Sequence, residues 1–325
     1  MKIQVIGAGS WGLALARLLA LSGHAVRLWC REEDAPEELR KNRKSKFYLQ
    51  HVTIPESVSI STSPDSDAEI AVFAVPSHAM RTIAEKHRFP SRTVRVSVAK
   101  GIENDSLLRM SEVLREVHGN CPIVALSGPS HAEEVAEDKP TSVVVAGDDP
   151  RICEIVQKAF MSQRFRVYTS RDIVGVELGG ALKNVVALAA GVCDGLELGD
   201  NAKAALITRG LAEIARLGTR MGANPLTFAG LSGLGDLVVT CASRLSRNRW
   251  VGERVARGIP LDEILSKMTM VAEGVRTARS AYALSKKYEV EMPITRQVYR
   301  TLFEDADPVQ AVTELMSREA KPEWS

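Results

Sequence analysis

Lys183 sits in the stretch VELGGALKNVVALAAG, Val176 to Gly191, where nearly every other residue is apolar or glycine. Its neighbours at helical spacing are Gly179, Gly180, Val186 and Ala187, so no carboxylate on the same segment pairs with it. An unpaired ammonium is costly to take out of water. Either the side chain snorkels to the helix edge, or its desolvation serves chemistry. The small neighbours cannot cover its stem, which favours the second reading. A desolvated lysine has its pKa pushed down toward working pH and can act as acid and base in turn. Its partner must then come from a distant segment, with Asp236 the first candidate. Gly179, Gly180 and Ala187 leave a trough beside the lysine, wide enough for a flat ligand or another backbone. It reads as room for a flat ligand and a substrate.

A second constellation is GLSGLGDLVVTCASRLSRNRWVG, in which Gly230, Gly233 and Gly235 deliver Asp236 on a tight backbone. Ten residues later Ser246, Arg247, Asn248 and Arg249 enter a helix. Hydroxyl, guanidinium and amide donors together suit a phosphate monoester, and arginine adds two-pronged recognition. The plainer reading is a charged helix start, with Asp236 a turn acid. Lys100 in VAKGIE stands at a strand's C-terminal end. Gly128, Pro129 and Ser130 form a loop entering a helix that starts with Glu133 and Glu134, whose free amides suit an anion. Pro76 and Ser77 end another strand. His131 is read as a solvated loop side chain rather than a general base.

Gly7, Gly9 and Gly12 have G-x-G-x-x-G spacing between a strand and a helix, the context that gives this motif meaning. Gly7 makes the turn, Gly9 admits a pyrophosphate and Gly12 lets helix pack on strand. Ser10 and Trp11 supply the first helix amides for the phosphates. Arg31 lies nineteen residues past Gly12, where an arginine accommodates a 2′-phosphate. NADP(H) is therefore favoured, while Glu32 and Glu33 leave NAD(H) open.

These side chains need a frame. KIQVIG, AVRLWC, EIAVFAVP, VRVSVAKG, PIVALSGP, TSVVVAG and FRVYTS read as strands alternating with helices, hence a mostly parallel α/β sheet of Rossmann type. After Asp172 strand runs stop. Helical patterns cover 173–192, 201–221, 249–257, 261–267, 277–288 and 294–303. The expected division is a dinucleotide-binding domain at 1–170 and an all-α substrate domain at 171–325.

Composition removes other classes. Lys and Arg number 42 against 40 Asp and Glu, a net charge of +2 with no basic stripe, so no nucleic-acid partner is expected. The densest basic run, Arg40 to Lys46, reads as a solvated loop. The five cysteines are far apart, with no zinc spacing, so no metal is expected and a reducing cytoplasm fits. The longest apolar run carries Glu177 and Lys183, each costing about 2.5–3.5 kcal/mol at mid-bilayer, which argues against a membrane span. Oligomeric state is not fixed, a homodimer being one reading.

GAGSWG, VAKGIE, SGPSHAEEVA, the run from Gly175 to Glu213, the run from Gly230 to Gly258 and VAEGVRTA resemble the bacterial NAD(P)-dependent glycerol-3-phosphate dehydrogenases, almost end to end. The resemblance implies interconversion of dihydroxyacetone phosphate and sn-glycerol 3-phosphate, a phospholipid head-group precursor. It also implies a Rossmann domain followed by a 6-phosphogluconate-dehydrogenase-like helical domain. By resemblance Lys183 transfers the proton, and Lys100, Gly128, Ser130, Asp236, Ser246, Arg247 and Asn248 contact substrate. Cofactor contacts fall on Ser10, Trp11, Arg31, Lys100, Ala132, Arg247, Val271 and Glu273. Unaided, MVAEGV reads as a turn; the resemblance makes it a lid. The chain departs from the family in carrying His131 where an aromatic is frequent, YLQ at Tyr48 to Gln50, and Gly235 in place of alanine, which threatens to loosen the aim of Asp236. Two rivals stay open. One is a related NADP-dependent reductase of another small phosphorylated or acidic substrate, for which a non-phosphorylated substrate would leave Arg247 without purpose; the other is a silent NADP(H) sensor, which would not need Lys183, Lys100 and Asp236.

Overall fold

The computed structural model describes residues 1–63, 67–268, 270–320 and 322–323. The first half builds eight strands: β1 (Lys2–Ile6), β2 (Ala25–Trp29), β3 (Ser59–Ser61), β4 (Ile70–Phe73), β5 (Val94–Ser97), β6 (Ile123–Ser127), β7 (Thr141–Ala146) and β8 (Phe165–Ser170). Between them run α1 (Ser10–Leu21), α2 (Pro36–Asn42), α3 (Met80–Lys86), α4 (Met110–His118), α5 (Ala132–Ala136) and α6 (Pro150–Phe160). The sheet order is β3-β2-β1-β4-β5-β6-β7-β8. Every pairing is parallel except β6 with β7, which is antiparallel. Chain order reverses between β1 and β4, and a crevice opens beyond the strand ends at such a reversal. The central strands are buried on both faces because helices cover both; β4, β5 and β6 are buried throughout. The sequence reading lacked β3, a three-residue edge strand.

The second half is helical: α7 (Ile173–Gly195), α8 (Gly199–Arg220), α9 (Pro225–Phe228), α10 (Asp236–Ala242), α11 (Arg247–Ala256), α12 (Leu261–Ser266), α13 (Glu273–Lys287), α14 (Pro293–Phe303) and α15 (Pro308–Met316). The helix α7 is the hub, packed against α8, α10, α11 and α13. It is long and apolar enough to cross a bilayer, yet 89% of its most apolar window is buried inside the protein. Its Glu177 reaches back to the first half. Arg109 Nη1 donates to Glu177 Oε2 at 2.6 Å, and Ser111 donates from its amide at 2.8 Å and its hydroxyl at 2.6 Å. The two halves are thereby clamped beside the crevice.

Close helix packing sets where α11 begins. A Cβ at Gly252 would lie 1.9 Å from the Leu188 carbonyl oxygen, and one at Gly191 would lie 2.0 Å from that of Arg249. Neither neighbour is a side chain that can swing aside. Gly252→Ala is expected to cost about 1–3 kcal/mol by overpacking, lowering Tm by roughly 1.5–4.5 °C in a chain of this size. Thermal unfolding followed by circular dichroism checks this; an unchanged Tm would mean the helices have slack.

Candidate active site

The C-terminal ends of β5 and β6 carry Lys100 and the 128–131 loop to the edge of α7. From the other side comes a π-helical turn, Leu231–Gly235, that runs directly into α10. Asp236 is the first residue of α10 and is only 1% exposed. Its two carboxylate oxygens bridge two lysines. Lys183 Nζ donates to Oδ1 at 2.5 Å and Lys100 Nζ donates to Oδ2 at 2.8 Å. Lys183 also donates to Thr240 Oγ1 at 2.7 Å, one turn along α10, and Thr240 donates to the Asp236 carbonyl at 2.6 Å. Lys100 completes its set with the Gly128 carbonyl at 2.8 Å and Ser130 Oγ at 3.2 Å. Gly128 has φ +143°, and a Cβ there would meet Val143 Cα at 3.0 Å, so the turn needs glycine.

Burial dominates the acid–base chemistry of Lys183. It lowers the Lys183 pKa to about 8, with Asp236 pulling the other way and Lys100 adding to the drop. Two ammoniums and one carboxylate leave a net positive charge at a desolvated point, where a developing alkoxide is stabilised.

Several expectations change here. The trough beside Lys183 is filled by protein. A Cβ at Gly179 would meet the Ser232 carbonyl at 2.4 Å, and one at Gly180 would meet Ser127 Oγ at 2.4 Å. The glycines let the 231–235 backbone and the end of β6 approach α7; they do not leave room for nicotinamide and substrate. Gly235 does not loosen Asp236, because it is helical (φ −59°, ψ −49°) and the aspartate is held at both oxygens. His131 is half-buried rather than a freely solvated loop side chain. Its Nε2 is enclosed and has no hydrogen-bond partner within the protein. Burial first, then the charges of Lys183 and Lys100, hold its pKa below the usual histidine range. The helix read after it, α5, has only five residues and Ala132 begins it.

Ser246 caps α11, accepting from the Arg249 amide at 3.3 Å. Asn248 Nδ2 donates to Asn184 Oδ1 at 2.9 Å, and its Oδ1 accepts from the Gly274 amide at 2.9 Å. Asn184 in turn donates to the Lys100 carbonyl at 3.2 Å. Asn248, read as a free phosphate donor, is therefore also a strut joining α11, α7, α13 and the end of β5. Arg247 lies at the surface, with Nη1 on the Val271 carbonyl at 2.8 Å.

The other side of the crevice fits a dinucleotide. Gly7 has φ +109° and Gly12 approaches so closely that a Cβ would sit 1.8 Å from the Gly7 carbonyl, while nothing lies within 4 Å of a Cβ at Gly9. The α1 N-terminus has no side-chain cap, so its first amides remain for a pyrophosphate. Trp11 Nε1 is enclosed without a partner. Over this turn lies the 270–273 segment. Ser10 Oγ donates to Met270 Sδ at 3.3 Å, and Glu273 accepts from the Ser77 amide at 3.0 Å and hydroxyl at 2.5 Å. Glu273 opens α13, four residues before the expected helix start. Arg31 follows β2 with its side chain 54% exposed, held by Asp34 through Nε at 3.2 Å and Nη2 at 2.7 Å.

Sequence reasoning missed Thr240 and Asp34. The signals were present: a threonine four residues after Asp236 shares its helical face, and an acid three residues after Arg31 can cap it.

The comparisons with known proteins agree with this geometry. The family model described as NAD-dependent glycerol-3-phosphate dehydrogenase N-terminus matches residues 2–153, and the one described as its C-terminus matches residues 172–313. The NAD(P)+ glycerol-3-phosphate dehydrogenase of Thermoanaerobacter sp. is 52% identical, with 99% of each chain covered. That of Syntrophotalea carbinolica is 53% identical, also with 99% of each covered. The crystal structure of glycerol-3-phosphate dehydrogenase from Coxiella burnetii superposes with a TM-score of 0.93 at 39% identity, covering 98% of this chain and 99% of that one. A ketopantoate reductase from Ralstonia eutropha, at 14% identity and a TM-score of 0.62, shares the fold alone. Matched along both halves by the family models and over nearly its whole length by these relatives, the chain belongs to the NAD-dependent glycerol-3-phosphate dehydrogenase family.

Proposed function

We propose that the chain interconverts dihydroxyacetone phosphate and sn-glycerol 3-phosphate in the cytoplasm, supplying a phospholipid head-group precursor, with Lys183 as the proton-transferring group. The observation that carries this is Asp236 bridging Lys183 and Lys100 at 2.5 and 2.8 Å beside a dinucleotide crevice. Residues 1–170 hold the cofactor and residues 171–325 the substrate. A bound nicotinamide supplies or accepts the hydride. In reduction the Lys183 ammonium gives a proton to the substrate oxygen; in oxidation the Lys183 amine removes it. Lys100 and Asp236 orient that nitrogen and tune its charge. Arg247, the Ser246 hydroxyl hydrogen and the second amide hydrogen of Asn248 grip the phosphate, while Gly128 and Ser130 line the substrate's other side. Val271 and Glu273 close over the cofactor and exclude water.

The test is a spectrophotometric assay of NADPH oxidation with dihydroxyacetone phosphate across pH, beside unphosphorylated dihydroxyacetone. Reduction needs the ammonium, so kcat/KM should fall as pH rises through about 8. Oxidation of glycerol 3-phosphate needs the amine and should rise through the same range. No turnover of the phosphorylated ketone, or equal turnover of the unphosphorylated one, would overturn the reading.

Preference for NADP(H) rests on Arg31. Its guanidinium is exposed enough to meet a 2′-phosphate while Asp34 fixes its plane. Arg31→Ala should lower kcat/KM for NADPH about 10–100-fold, the value of a lost charge-assisted pair, and change NADH use much less. An unchanged NADPH/NADH ratio would refute the role.

A further inference from the structure

His131 is a polar group that the proton transfer leaves unused. It follows Ser130, whose hydroxyl takes Lys100 Nζ, and it precedes α5. Its Nε2 is enclosed and unpaired, and a buried polar atom in that condition normally has a partner. Other enclosed, unpaired atoms lie elsewhere: Trp11 Nε1 at the glycine turn, His87 against Trp29, Ser97 at the end of β5, Thr277 inside α13. Ser127 Oγ is close but is roofed by the Gly180 backbone. Only His131 belongs to the loop that holds Lys100 and also feels both active-site lysines.

The charged groups around it are Lys183 and Lys100, which oppose its protonation, and Glu133 and Glu134, which favour it. Burial and the lysines prevail, so the ring is neutral at pH 7. A neutral imidazole is a poor match for a phosphate dianion, which Arg247 suits better. The reacting oxygen belongs to Lys183. The three-carbon substrate has one oxygen function left, its free hydroxyl, which is neutral and both donates and accepts. A neutral imidazole nitrogen can meet it in either tautomer.

We propose that His131 is a specificity-determining residue whose Nε2 pairs with the free hydroxyl of the phosphorylated three-carbon ketone, an inference that rests on the glycerol-3-phosphate reading above. It sets the preference for that ketone over its methyl analogue, in which CH3 replaces CH2OH. A site built around a hydroxyl leaves its own polar group unpaired when the analogue binds, and so rejects it.

The experiment compares dihydroxyacetone phosphate with hydroxyacetone phosphate at saturating NADPH, for wild-type enzyme, His131→Phe and His131→Gln. Phenylalanine keeps the ring volume and the fold. Wild type should favour the hydroxylated ketone. His131→Phe should lower kcat/KM for that ketone about tenfold, mainly through KM, and leave the analogue unchanged, as expected for one lost hydrogen bond. His131→Gln, which returns an amide near the Nε2 position, should recover part of the preference. A merely structural role would lower both substrates together. Equal effects on both ketones, no effect on either, or a glutamine variant no better than phenylalanine would overturn the inference. A wild-type enzyme inactive with dihydroxyacetone phosphate would instead overturn the reading beneath it.

Discussion

Lys183→Ala should reduce turnover of dihydroxyacetone phosphate about 10²–10⁴-fold, the usual contribution of a positioned acid–base group. NADPH binding should persist, because the glycine turn and the 270–273 segment lie apart from the lysine. The fold should persist as well. Removing Lys183 leaves Asp236 still paired with Lys100 at 2.8 Å, so no carboxylate is stranded. Residual activity should lose the decline near pH 8 that the Lys183 ammonium imposes on the wild type. Single-turnover reduction, with NADPH binding measured separately by fluorescence, checks this. Loss of NADPH binding in the variant would mean that Lys183 supports structure, not proton transfer.

Where a local rule governs, the sequence was enough. The alternation of β-branched runs with helices places seven of the eight strands, because buried parallel strands must be apolar on both faces. The eighth, Ser59–Ser61, is too short and polar to show a period. Lys183 was legible as a group needing a remote carboxylate, since α7 offers none at helical spacing. The purpose of its neighbouring glycines was not. A glycine records only that something comes close, and here it is the backbone of the 231–235 turn at Gly179 and the Ser127 side chain at Gly180. His131 was misread because exposure of a loop side chain depends on what folds over it. Asn248 was half read, because its second partner, the Gly274 amide, lies on another helix. Long-range enclosure is a property of tertiary packing, and single-sequence periodicity carries no record of it.

Asp236→Asn tests the trio from the other side, with a larger cost to the fold. The amide keeps the shape but removes the charge that pairs the buried Lys183 ammonium and the part-buried Lys100 ammonium. Breaking a buried ion pair by removing one partner costs about 3–5 kcal/mol, and here one substitution strips two. Lys183 responds by losing its proton more readily. Asp236 is the influence that raises the Lys183 pKa against burial and Lys100, so without it that pKa falls below the native value of about 8. Two consequences separate this variant from a simple loss of structure. At a given pH more of Lys183 is then amine and unable to donate, so reduction slows, and acidification should restore part of it where the wild type is already at its plateau. Stability has the opposite slope. A lysine whose folded pKa is depressed binds fewer protons folded than unfolded, so its penalty is full at low pH and is relieved as pH rises toward the unfolded value of about 10.4. Relative to wild type, whose Lys183 itself loses its proton near pH 8, the variant should gain Tm as pH rises toward about 8 while its reductase activity falls. Parallel loss of Tm and activity across that range would mean that Asp236 does not set the charge of Lys183.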